Sequence, residues 1–132
     1  MYQSQGTLRY SPQLTGERSE SWWLILDCSP QIGAYYRHLF KMGHYHCKKL
    51  QAPSWAEHIT VVRNEEPPIK APWKAHETKE IEFTYTTDYF GTDGVYVWLD
   101  VECEQLLDIR EELGLVRTPI YPLHLTIGNV VV

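Results

Sequence analysis

The chain has little that would anchor it in a membrane, lock it with disulfides or attract long nucleic acid. No apolar run approaches the roughly twenty residues of a membrane span, and Met1 opens a polar stretch rather than the basic and apolar blocks of a signal sequence. The three cysteines, Cys28, Cys47 and Cys103, are odd in number, widely spaced and without a Cys-x-x-Cys pattern. That usage argues against a disulfide framework and fits a reducing, cytoplasmic setting. There is no basic excess either. The formal charge is -5, which speaks against a surface built to grip long duplex or single-stranded nucleic acid, while leaving room for a local basic pocket that takes a small anion.

What is present is a folded composition: 43% hydrophobic and 13% aromatic over 132 residues, enough for one domain with a core. Residues 1–21, rich in Ser, Gln, Thr and Gly, are expected to form an arm or tail, with a single domain over 22–132. Within it, Trp22 to Asp27 predicts a strand, and Ser29-Pro30 a helix start with serine as cap and proline first. Ile32, Tyr35, Tyr36, Leu39 and Phe40 then fall on helical spacing up to Met42, with Gly43 as the stop. Further on, the pattern predicts strands over 79–87 and 95–101 around a turn region 88–94. A helix over 103–113 ended by Gly114, its acidic residues a solvated face, and a strand over 123–130 complete the domain. The stretch 64–78, with Pro67, Pro68 and Pro72, is expected to be irregular, either placed to cover a site or a stiff surface connection with Trp73 packed underneath.

The chemistry concentrates in a repeat. His58-Ile59-Thr60-Val61 returns as His124-Leu125-Thr126-Ile127. In a strand, His and Thr two apart share one face while the aliphatic between them points to the other. Two such strands side by side bring two imidazoles and two hydroxyls into one volume. Histidine can accept or donate a proton near neutral pH, so a pair supplies base and acid together. Threonine hydroxyls can donate hydrogen bonds to non-bridging phosphate oxygens. A lone His-x-Thr is more often a packed or solvated histidine; the second copy at a matching position shifts the balance. Both halves also run strand, helix, glycine, motif strand, which predicts two lobes of mixed, largely antiparallel sheet around a cleft.

These paired motifs, with Trp55-Ala56-Glu57 leading into the first, resemble the 2H phosphoesterases, and the resemblance covers about Trp22 to Val130. It departs after the first motif, where Val62-Arg63-Asn64-Glu65-Glu66 replaces the commoner aromatic-rich strand. The resemblance implies an α+β, bilobal fold and a metal-independent, cofactor-free phosphodiesterase, with His58, Thr60, His124 and Thr126 as the catalytic set. Its substrate would be a short or cyclic oligonucleotide, the specific version being a phage-encoded enzyme that removes a host immune signal. A 2′,3′-cyclic phosphate at an RNA end is the alternative substrate, and a nucleotide-binding module without chemistry the alternative class. Tyr45, Trp55, Arg63, Trp73, Lys74 and Tyr121 are the candidate substrate contacts, aromatic rings to stack bases and cations to meet phosphate. Arg63 counts onto the non-chemical face of its strand unless the strand ends or bulges there. His38, His44, His46 and Cys47 can be drawn as a zinc site, but no second ligand cluster stands at conventional spacing. A monomer or weak homo-oligomer is expected.

Overall fold

The computed structural model describes residues 2–11, 22–42, 49–53, 56–86, 91–92 and 96–131. In chain order these form β1 (Tyr2–Tyr10), β2 (Trp23–Asp27), α1 (Pro30–Met42), β3 (Lys49–Gln51), β4 (His58–Arg63), β5 (Glu80–Tyr85), β6 (Gly91–Thr92), β7 (Tyr96–Glu102), α2 (Glu104–Glu112) and β8 (His124–Val131). The strands pair in the order β3-β8-β4-β2-β1-β5-β7-β6, and β7 also pairs with β8. The sheet therefore closes into a six-stranded antiparallel barrel, β8-β4-β2-β1-β5-β7, with β3 and β6 as short additions. With two helices, the class is α+β as expected. Among the described residues no helix is long and apolar enough to cross a membrane.

Alternation builds the core. Ile81, Phe83 and Tyr85 of β5 are buried while Glu80 and Glu82 are exposed, and Val97, Leu99 and Val101 of β7 alternate likewise. These faces meet Leu8, Leu24, Leu26, Ile59 and Leu125 in one core, which Tyr36 and Phe40 of α1 and Leu106 and Ile109 of α2 join. Ser29 caps α1 as its position predicts, its Oγ accepting from the Gln31 N–H at 3.3 Å. The buried stripe of α1 is nevertheless Gly33, Tyr36 and Phe40, and Tyr35 and Leu39 are exposed. The helix is rotated toward Gly33 because a carboxylate, Glu57, lies against that glycine: a Cβ there would stand 2.1 Å from Glu57 Oε1.

Two expectations need correction. Tyr2–Tyr10 is not an arm but a strand inside the barrel, paired with β2 on one side and β5 on the other. Its inward positions include Gly6, where a Cβ would meet Asp27 O at 2.5 Å, so a close approach of two backbones replaces the side chain that would have marked a strand. The segment 64–78 does not arch over the motifs. Ile69 N–H donates to Leu113 O at 3.0 Å and Thr78 N–H to Leu8 O at 3.0 Å. Successive turns, closed by Trp73 N–H to Lys70 O, Ala75 N–H to Pro72 O and Lys79 N–H to His76 O, pin the segment between the end of α2 and β1.

The halves are related by order. In the sequence β4-β2-β1 and β8-β7-β5, each strand has a counterpart, and the two sets join at β4–β8 and β1–β5. The correspondence reaches single residues. Asp27 faces His58 and Ile25 faces Thr60 across β2–β4; Asp100 faces His124 and Trp98 faces Thr126 across β7–β8. In both ladders the register then slips by one residue, leaving Val61 and Ile127 as bulges.

Candidate active site

The two motif strands meet at one registered pair, Ile59 with Leu125, both fully buried. Counting outward from it, His58 lies opposite Thr126 and Thr60 opposite His124, all four on the face turned away from the core. Two rows thus cross the four strands β2, β4, β8 and β7. One reads Asp27, His58, Thr126, Trp98; the other Ile25, Thr60, His124, Asp100. The histidines are diagonal neighbours, a relation that separates backbones by roughly 7–8 Å.

Each imidazole is oriented by the chain two residues before it. His58 Nδ1–H donates to Ala56 O at 3.0 Å and His124 Nδ1–H to Pro122 O at 2.7 Å. A carbonyl only accepts, so Nδ1 carries a hydrogen in both rings and Nε2 is the nitrogen at which protonation changes. Ala56 adopts φ +60, a left-handed conformation unfavourable for a residue with a Cβ, directly at the carbonyl that His58 uses. Burial lowers the pKa of His58, opposed by the Ala56 carbonyl and the Asp27 carboxylate and reinforced by Arg63 and His124. Asp27 itself is engaged by Arg9, whose Nη2 donates to Oδ1 at 3.0 Å; Arg9 Nε stands 2.8 Å from Oδ2 but out of hydrogen-bond alignment. Cys28, the next residue, is pushed up to about 12, by burial first and then by the Asp27 and Glu57 carboxylates. It is a protonated thiol at neutral pH rather than a nucleophile.

The bulges are held by arginines from the opposite halves. Arg110 on α2 donates through Nη1 to Val61 O at 2.8 Å, and Arg37 on α1 donates through Nη1 to Ile127 O at 2.9 Å. Val61 and Ile127 each lie three residues after a motif histidine, and Arg37 and Arg110 each lie ten residues after the aspartate facing one. Both guanidiniums are neutralised. Arg37 pairs with buried Glu57 at 2.7 Å, and Arg110 makes a two-pronged contact with Glu65 at 2.8 and 3.0 Å and donates through Nε to Val116 O at 2.8 Å. The Arg110 hydrogen bonds hold the Glu65 carboxyl below its ordinary range.

Of the expected substrate contacts, the structure brings Arg63 and Tyr121 to the motif. The bulge at Val61 returns Arg63 to the chemical side, where Thr60, Val61, Arg63, Glu65, Pro119, Ile120 and Tyr121 line an open depression of about 80 Å³. The Arg63 guanidinium lies over Trp23 and Tyr121, 5.8 and 5.3 Å from the ring centres, within cation–π range. Trp73 is elsewhere: it packs edge-on against Tyr10 at 4.9 Å and Trp22 at 5.1 Å, beside the core. Lys74 follows it in the pinned segment, exposed and at φ +70. Tyr45 and Trp55 lie outside the described residues, as do His44, His46 and Cys47 of the drawn zinc site; His38 is exposed on α1. Among the described residues no three His, Cys, Asp or Glu gather as metal ligands.

Sequence reasoning did not single out Trp98, Arg37 or Arg110 for the site. Trp98 stands edge-on to His124 at 5.9 Å, where the other half has only Ile25. The available signal was the parallel Leu26-Asp27 … Arg37 and Leu99-Asp100 … Arg110, legible once the halves are aligned on their histidines. No known protein family, curated protein or solved structure matches the chain.

Proposed function

We propose that the chain is a phosphodiesterase of the 2H type, its two barrel halves corresponding to the two lobes of that fold, acting on a short or cyclic oligonucleotide by paired-histidine catalysis. The observation that carries this reading is the crossed arrangement about Ile59 and Leu125, His58 opposite Thr126 and His124 opposite Thr60, with both rings committed through Nδ1.

His58, kept neutral by burial, accepts the proton of a 2′-hydroxyl at Nε2 as that oxygen attacks phosphorus. His124, protonated, gives its Nε2 proton to the leaving 5′-oxygen, releasing a 5′-hydroxyl and a 2′,3′-cyclic phosphate. With a cyclic phosphate as substrate, water takes the place of the 2′-hydroxyl and the ring oxygen leaves. The threonine hydroxyls donate to the non-bridging oxygens, where charge accumulates. The test is incubation with linear, cyclic and 2′,3′-cyclic nucleotides in the presence of a chelator, with products identified by mass spectrometry. Turnover that needs an added divalent metal, or none on any nucleotide, would sink the proposal.

A further inference from the structure

We propose that the Arg63 guanidinium, which lies over the Trp23 and Tyr121 rings in the depression shared with Thr60, is a subsite for a second phosphate of the substrate, so that the site prefers chains of two or more phosphates to a mononucleotide. The inference rests on the phosphodiesterase reading and narrows its substrate.

Arg63 is unlike the other described arginines. Arg9, Arg37, Arg110 and Arg117 are each tied to carboxylates, Arg117 to Glu104, Asp108 and Glu111 at once. Arg63 alone among them lies over two rings and makes no direct ion pair among the described residues, the Glu65 carboxylate sensing its charge only at longer range. The two rings offer no hydrogen-bond acceptor to the planar group, so its N–H donors keep the fork that grips a phosphate in two-pronged fashion. The one carboxylate lining the same depression, Glu65, has both oxygens taken by Arg110 and accepts the Arg63 backbone N–H at 3.1 Å. With Glu65 neutralised by Arg110, the local balance is one positive charge in a chain of net charge -5.

Position supports the same reading. Thr60 and Arg63 line one depression, and the strand rise puts them at most about 10 Å apart, less the shortening of the bulge. A phosphate held at Thr60 therefore leaves the neighbouring phosphate of the same chain within reach of the guanidinium. Among the described residues the second half shows no such cation at the matching position. Its residue three beyond Thr126 is Asn129, and its flanking ring, Trp98, stands by His124. The site is thus polar in direction, with the additional phosphate beyond the row of Thr60 and His124.

Deoxydinucleotides lack the 2′-hydroxyl and report binding without cleavage. Calorimetry would compare a deoxydinucleotide with its 5′-phosphorylated and, separately, 3′-phosphorylated forms, on the wild type and on Arg63→Gln, Arg63→Lys and Tyr121→Ala. In the wild type one added phosphate should raise affinity about tenfold or more. Arg63→Gln should abolish that gain and flatten the slope of log affinity against log salt by about 0.7. Arg63→Lys, which keeps the charge and loses the fork, should retain part of the gain, and so should Tyr121→Ala, which removes one wall. A gain undiminished in Arg63→Gln, or no gain from either phosphate in the wild type, overturns the subsite. Turnover of ribonucleotides reads the phosphodiesterase proposal separately: a wild type with the gain and no turnover sinks that reading alone.

Discussion

Replacing Arg110 with methionine would remove a guanidinium that is 1% exposed and leave three groups behind. The carbonyls of Val61 and Val116 would lose their donors, and Glu65 would keep its charge without its partner. Breaking a buried ion pair from one side costs about 3–5 kcal/mol. Here Glu65 is 34% exposed and can recover water, which discounts the ionic part toward the lower end. Each stranded carbonyl adds about 1 kcal/mol where water does not reach it. A net loss of about 3–4 kcal/mol follows, a large share of the 5–15 kcal/mol typical of a domain and equivalent to roughly 10 °C in Tm. Urea unfolding of Arg110→Met, Glu65→Gln and the double variant closes a thermodynamic cycle, in which the pair should couple by roughly 1.5–3 kcal/mol. A loss below about 1 kcal/mol for Arg110→Met, or additive single effects, would refute the bracing role.

His58→Ala and His124→Ala should each remove most turnover while Tm stays near the wild type, and the double variant should lose little more than either one; full activity in a single variant, measured by product formation, removes the pair from the chemistry. The acid limb of kcat/KM should fall below the usual histidine pKa of about 6.5, because His58 must be neutral and burial lowers it. In stability the sign is the same: the unfolded chain takes up that proton first, so stability declines as pH drops through about 6.5, and His58→Gln should flatten the decline in a pH series of urea melts. Gly33→Ala would put a Cβ 2.1 Å from Glu57 Oε1 and force the carboxylate from Arg37, costing about 1–3 kcal/mol by denaturant unfolding. Trp73→Ala should lower Tm and affect large and small substrates alike, since its ring is packed against Tyr10 and Trp22; a KM effect confined to base-containing substrates would return it to recognition.

The motif strands, both helices, β5 and β7 were legible because each has a period that burial enforces: Ile81, Phe83 and Tyr85 alternate, and Leu106, Ile109 and Arg110 recur at helical spacing. β1 was not, because of its three buried positions one is Gly6 and another is Tyr10, set among Gln3, Ser4, Gln5 and Thr7. In the site, the shared face of each histidine and the threonine two beyond it followed from strand geometry; the crossed pairing of the two motifs did not, since it turns on Ile59 standing opposite Leu125. The side of Arg63 did not, since it turns on a one-residue slip at Val61 that exchanges faces for everything after it. Arg110 stood in an apolar stripe where a charge looks like an error until its carbonyl and carboxylate partners, forty-five or more positions away, are in place.

The crossed arginines have a consequence for how the molecule can come apart. Each helix is tied to the strand that bears the other half's histidine, so a fragment ending after β4 would carry Val61 without Arg110, and one beginning at β5 would carry Ile127 without Arg37. Neither fragment holds a complete set of partners for its own bulge. Although the halves repeat one another, there is no seam along which they could separate and stay folded. The barrel should melt as one cooperative unit, and a cut within residues 86–95 should yield pieces that regain structure only by finding each other.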